Sequence, residues 1–138
     1  ALRHIPDPPA MLYGCGEIPT APALAIVGAR RPTNLGRRVT EQFAQELASA
    51  GVAHISGLAR GIDAAAHRGA LNGGGKTLAV LGCGLDRVYP AENADLYKQV
   101  LEQGARISEY PHGSEPLPGP FPGRNRTIRG LTQAPLVI

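Results

Sequence analysis

Apolar positions along this chain gather into short continuous runs rather than alternating ones. Four stand out, Leu24–Val27, Val52–Ile55, Thr77–Leu81 and Ala105–Ser108, and a fifth begins at Leu136. Each has the length of a strand, and an uninterrupted run is what a strand buried on both faces requires. Helical spacing fills the intervals. Arg37–Ala50 sets Val39, Phe43 and Leu47 four apart on one face and stops at Gly51, a C-terminal glycine signal. Ile62–Leu71 is alanine-rich, carries Asp63 in its first turn and ends at Asn72-Gly73-Gly74-Gly75. Glu92–Gln103 closes on Gly104, and Arg124–Thr132 precedes the last run. This alternation predicts an α/β fold: an open parallel sheet with helices on both faces and right-handed crossovers. Residues 1–23, with Pro6, Pro8, Pro9, Pro19 and Pro22, read as an irregular lead-in packed on a domain formed by 24–138. The loop Pro111–Gly123 shows no regular pattern.

Composition narrows the class. With 138 residues, 43% apolar and 18% charged, the chain is one globular domain and not a disordered segment. Both ends read as cut, since there is no initiator Met and the last run stops at Leu136-Val137-Ile138. The expectation is a domain truncated at its C-terminal end. No apolar run is long enough for a membrane-spanning helix, and no signal segment opens the chain. Cys15 and Cys83 are far apart with no CxxC, so neither a disulfide scaffold nor a metal site is expected, and the default compartment is the reducing cytoplasm.

In an open α/β sheet, ligands bind beyond the carboxyl ends of the strands. Three consecutive ends open on glycine: Gly28-Ala29-Arg30-Arg31, Ser56-Gly57-Leu58-Ala59-Arg60-Gly61 and Gly82-Cys83-Gly84. Any one glycine there is explained by the need for a tight turn. Three in parallel, two with arginines beside them, point to an anion held by backbone and helix starts. A dinucleotide does not fit, because Gly28 begins no G-x-G-x-x-G and no acid ends the second strand. Walker A is also absent: Gly75-Lys76-Thr77 has Leu71 where the first glycine should stand. No cofactor is expected.

Charge placement is the stronger signal. Twelve of the 14 basic residues are arginine, an excess that a G+C-rich genome also produces. Position separates the two explanations. Eight of those 14 fall in the windows 24–38, 56–62 and 116–138, which contain no Asp or Glu although the chain has 11. They are Arg30, Arg31, Arg37, Arg38, Arg60, Arg124, Arg126 and Arg129. A concentrated positive field suits a polyanion. Catalytic constellations are poor. His54 in a strand and His67 in an alanine-rich helix read as packing or surface residues, no G-x-S-x-G elbow surrounds Ser56, and Asp63 and Asp86 read as helix-start and turn residues.

The motifs resemble one family. Ala25-Ile26-Val27-Gly28-Ala29-Arg30, Ser56–His67, Ala79–Pro90 and Phe121–Leu131 look like the DNA-processing protein A family (DprA, also called Smf), in order and over nearly the whole chain. The resemblance implies an extended Rossmann-like domain that binds single-stranded DNA without sequence preference. It also implies a role in natural transformation and DNA recombination, protecting incoming DNA and helping to load the RecA recombinase, as a cytoplasmic homodimer and not an enzyme. The family's glycine–serine–arginine motif maps onto Gly28-Ala29-Arg30, and its threonine between glycines onto Cys83, so two hydroxyls are replaced here. The DNA-binding set expected is Gly28, Ala29, Arg30, Arg31, Ser56, Gly57, Arg60, Gly61, Gly82, Phe121, Arg124, Asn125 and Arg126. A basic groove with stacking platforms agrees with single-strand binding, and Tyr89, Tyr110 and Phe121 are the aromatic candidates while Phe43 reads as core. The competing reading is a nucleotide-binding or phosphoribohydrolase-like Rossmann enzyme, which resembles P-G-G-x-G-T with a downstream acid; this chain has no such run. A pure protein-interaction domain leaves the acid-free arginine windows unexplained.

Overall fold

The computed structural model describes residues 13–16, 22–81, 83–85, 93–108, 110, 113, 128 and 134–137. Its elements are β1 (Tyr13–Gly16), β2 (Ala23–Val27), α1 (Asn34–Ser49), β3 (Ala53–Ser56), α2 (Ile62–Asn72), β4 (Thr77–Leu81), α3 (Ala94–Gln103), β5 (Gly104–Ser108) and β6 (Ala134–Val137). They build one six-stranded sheet in the order β1-β5-β4-β3-β2-β6. Strands β2 to β6 are mutually parallel, and β1 lies antiparallel on β5, with Tyr13 opposite Ser108. The α/β architecture agrees with the sequence pattern. One stretch differs: within the lead-in expected to be irregular, Tyr13–Gly16 is an edge strand.

The uninterrupted apolar runs have a simple cause. Successive side chains of a strand point to opposite faces, and both faces are covered. Leu24 and Ile26 of β2 meet Ala44 and Leu47 of α1 and Ile62 and Ala66 of α2. Ala79 and Leu81 of β4 meet Ala64 of α2 and Leu96, Tyr97 and Val100 of α3. The alternate residues, Ala25, Ile55, Leu78, Val80, Ala105 and Ile107, form a second layer on the opposite face, closed by Ile128 from the chain between β5 and β6. Of the helix expected over 124–132, only Ile128 lies within the described residues, and it is helical and buried. Burial of this kind contributes about 25 cal/mol per Å² of apolar surface, so the two layers are the main source of stability.

Helix α1 buries a different face from the one its large apolar residues suggest. Thr40, Ala44 and Ala48 point inward, whereas Leu35, Val39 and Phe43 remain 64%, 49% and 38% exposed. The reason is close backbone packing against α2. A Cβ at Gly69 would sit 2.3 Å from the Glu41 carbonyl oxygen, and one at Gly73 would sit 2.5 Å from that of Gln45. Only small residues fit between helices that near. The inward hydroxyl of Thr40 is satisfied by donating to the Gly36 carbonyl at 2.8 Å. Phe43, expected in the core, is exposed instead.

Beneath α2 sit two buried histidines. The rings of His54 (β3) and His67 (α2) meet edge to face with centroids 5.3 Å apart, and His67 Nδ1 pairs with Thr77 Oγ1 at 2.7 Å. Packing is their role. Neither ring nitrogen of His54 has a hydrogen-bond partner, and burial pushes its pKa from 6.5 down to about 3. The folded state therefore holds the neutral ring, while the unfolded chain takes up a proton. The stability tied to this neutral ring is complete above pH 6.5 and is lost as pH falls from 6.5 toward 3, by up to about 1.4 kcal/mol per unit. Urea midpoints measured across this interval should fall less steeply for His54→Leu than for the wild type. Parallel curves would remove His54 as the source.

Candidate nucleic-acid interface

The parallel strands end together along one edge of the sheet, and the order of strands marks a point on it. From β2 the chain steps through α1 to β3, β4 and β5 on one side, then returns with β6 on the other side of β2. The direction of winding thus reverses between β2 and β6. Connections diverge at such a point and leave a crevice at the carboxyl ends. The loop after β2 carries Gly28, Ala29, Arg30 and Arg31, and this loop stands at the crevice.

Local sequence shapes that loop. Thr33 caps α1, its Oγ1 accepting from the Gly36 N–H at 3.0 Å. The start of α1 presents backbone N–H groups and the positive end of the helix dipole to the crevice. No acidic residue stands in the first turn of α1, whereas α2 and α3 carry Asp63 and Asp95 in theirs. Of these three helix starts, α1 alone lacks a carboxylate of its own. Around it Ala29, Arg30, Arg31, Arg37 and Arg38 are exposed. No described helix is long and apolar enough to cross a membrane. Among the described residues, no three His, Cys, Asp or Glu side chains are grouped to hold a metal ion.

The loop after β3 is bonded to the loop after β2. Ser56 is buried and its hydroxyl donates to the Ile26 carbonyl at 2.6 Å. Gly57, also buried, donates its N–H to Asp63 Oδ2 at 3.2 Å. Ile62 N–H reaches the Ala29 carbonyl at 3.1 Å. Gly61 permits this approach: its φ is +78°, and a Cβ there would lie 2.3 Å from the Ala29 oxygen. Arg60 is exposed beside it. The candidate residues Ala29, Arg30, Arg31, Arg60 and Gly61 therefore share one rim. The side chain of Ser56 faces inward and joins strands instead. Cys83 is buried with Leu81, Leu85 and Leu96, and its carbonyl accepts from the Ser108 hydroxyl at 2.7 Å, so this position faces the core. Asp63, read from sequence only as a helix-start residue, also closes the β3–α2 loop. Gly82, Phe121, Arg124, Asn125, Arg126, Arg129 and Tyr89 lie outside the described residues.

This geometry can be compared with known proteins. The family model of the DNA recombination-mediator protein A matches residues 1–138. The chain belongs to that family. It is 46% identical to the protein Smf of Synechocystis sp. over 99% of this chain and 36% of that one. It is 41% identical to the DNA processing protein DprA of Streptococcus pneumoniae, over 99% of this chain and 49% of that one. The chain thus spans between about a third and a half of these relatives. Their fold is shared. The X-ray structure of DprA from S. pneumoniae superposes with a TM-score of 0.90 at 40% identity, covering 99% of this chain and 48% of that one. DNA processing protein A from Helicobacter pylori, whose structure concerns its single-stranded DNA binding mode, superposes with a TM-score of 0.85 at 34% identity, covering 95% and 61%.

The contact at Gly61 yields a direct test. Gly61→Ala must accept both a left-handed backbone and a collision with Ala29, and should cost about 2–5 kcal/mol of stability. Gly74 has φ +70° with nothing within 4 Å of an added Cβ, so Gly74→Ala should cost only about 1 kcal/mol. Chemical denaturation of both variants measures the difference. Equal losses would mean that the two loops do not depend on this approach.

Proposed function

We propose that this domain binds single-stranded DNA without sequence preference, as a non-catalytic module that needs neither metal nor nucleotide. The observation that carries the reading is the carbonyl-linked rim at the switch point, where the acid-free start of α1 lies among Arg30, Arg31, Arg37 and Arg38 with Arg60 on the adjoining loop. A DNA backbone is a string of single negative charges. Exposed guanidiniums and helix-start N–H groups neutralise them one at a time without reading bases. Gly28, Gly57 and Gly82 follow the strands in sequence, and Phe121, Arg124, Asn125 and Arg126 are further DNA contacts in this reading. The likeness to the H. pylori protein supports a single-stranded ligand.

In this reading the domain, residues 24–138 with its lead-in, serves natural transformation. It protects incoming single strands in the cytoplasm and helps to load the RecA recombinase, working as a homodimer. The family's description as a recombination mediator supports this role.

Oligothymidylate should bind more tightly than the matching duplex at equal salt, because the crevice admits one backbone with splayed bases. Arg30→Ala should weaken single-strand binding by about tenfold or more, as expected for a charge-assisted contact of about 1.5–3 kcal/mol. The slope of log K against log salt should shrink by about 0.7 for the lost phosphate contact. Lys76 is exposed just before β4, at the opposite end of the sheet, and Lys76→Ala should do far less. Fluorescence anisotropy across a salt series reads all of these. Matching losses and slopes for Arg30→Ala and Lys76→Ala would replace the crevice with a diffuse surface field.

A further inference from the structure

Asn93 occupies the N-cap of α3, yet its side chain makes no capping bond to that helix. Its Nδ2 donates instead to the carbonyl of Leu58, 3.2 Å away and 35 positions earlier in the chain. The acceptor residue is unusual. Leu58 is the one non-glycine among the described residues with positive φ, at 56°, and it is fully buried. An L residue holds that conformation only where its surroundings impose it.

Three contacts impose it. The Leu58 side chain packs in the cluster with Leu85, Leu96 and Val100. Its carbonyl is taken by Asn93. The N–H of the preceding residue, Gly57, is taken by Asp63. The left-handed step turns the chain so that Gly61 and Ile62 arrive at the Ala29 carbonyl, one residue before Arg30. An asparagine that leaves its own helix uncapped to hold this step has a use beyond α3.

We infer that Asn93 is a positioning residue for the anion-binding rim, fixing Leu58 in its left-handed conformation and, through the Ile62–Ala29 bond, the backbone that carries Arg30. The inference rests on the DNA-binding reading and adds the residue that presets the site. It places the control of the rim at the start of α3, on the far side of the β3–α2 loop.

Aspartate caps helices as well as asparagine does but has no N–H to donate, so Asn93→Asp separates a capping role from a positioning one. Ala94 is exposed next to it, and Ala94→Asp controls for the added charge. Binding of oligothymidylate is measured for these variants and Asn93→Ala, each also in the Arg30→Ala background, with thermal melts confirming folding. Both Asn93 variants should bind about tenfold more weakly, and Ala94→Asp should stay within about twofold. In the Arg30→Ala background, Asn93→Ala should cost less than about twofold, since the group it positions is gone. Unchanged affinity, additive losses, or a loss that Ala94→Asp matches would each overturn the inference. Should neither Asn93 variant fold, the residue is a structural one and the inference falls. A wild-type domain that binds no single strand at all defeats the DNA-binding reading instead.

Discussion

The bond from Ile62 N–H to the Ala29 carbonyl, 3.1 Å long, is made possible by the missing side chain at Gly61. Two loops that leave neighbouring strands usually pack through side chains. Here they pack backbone to backbone, with the Ser56 hydroxyl bonded to Ile26 at the strand level beneath. The consequence is geometric. A contact between backbones has no rotamers to change, so the start of α2 and the residue before Arg30 move as one body. A flexible arginine gains most when its root is fixed, because less ordering remains to be done on binding. The rest of the carboxyl edge depends on this junction.

The same principle recurs in the helix layer. Gly69 of α2 and Gly73 just after it approach the backbone of α1, and the inward residues of α1 are correspondingly small. Close packing of α1 on α2 ties the two helices whose starts flank the rim. Their positions are set by backbone contact as well as by the apolar layer on the sheet. Helix starts bind anions through groups fixed in the main chain, so under the proposed function a rigid pair of helices makes a rigid site.

Much of this was legible in the sequence, for physical reasons that also explain what was not. Strands covered on both faces write continuous apolar runs, so β2 to β5 and their alternation with helices could be read directly. Tyr13–Gly16 could not. It has two glycines, is largely exposed and owes its strand conformation to pairing with β5, which leaves no local trace. On α1 the spacing of Val39, Phe43 and Leu47 predicts a buried face, of which only Leu47 packs on the core, whereas the helix–helix approach buries Ala44 and Ala48; the spaced small residues of both helices are the available signal. Glycine and arginine at the strand ends mark the candidate rim in the sequence. The hydrogen bonds that shape it, Ser56 to Ile26 and Asn93 to Leu58, join residues 30 and 35 positions apart, and periodicity carries nothing about such pairs.

The distribution of acids completes the account. A carboxylate at a helix start offsets the dipole by about 0.3–1 kcal/mol, and α2 and α3 each have one. In α2 that carboxylate also takes the Gly57 N–H, so the negative charge is used to shape the loop. Omitting the same device from α1 forgoes a small stabilisation and leaves a positive helix end beside Arg30, Arg31, Arg37 and Arg38. Clustered like charges repel one another, and an acid nearby would relieve them. Residues 24–38 hold no acid of their own, so in the proposed reading the negative charge that this segment does not supply is the kind that a bound polyanion brings.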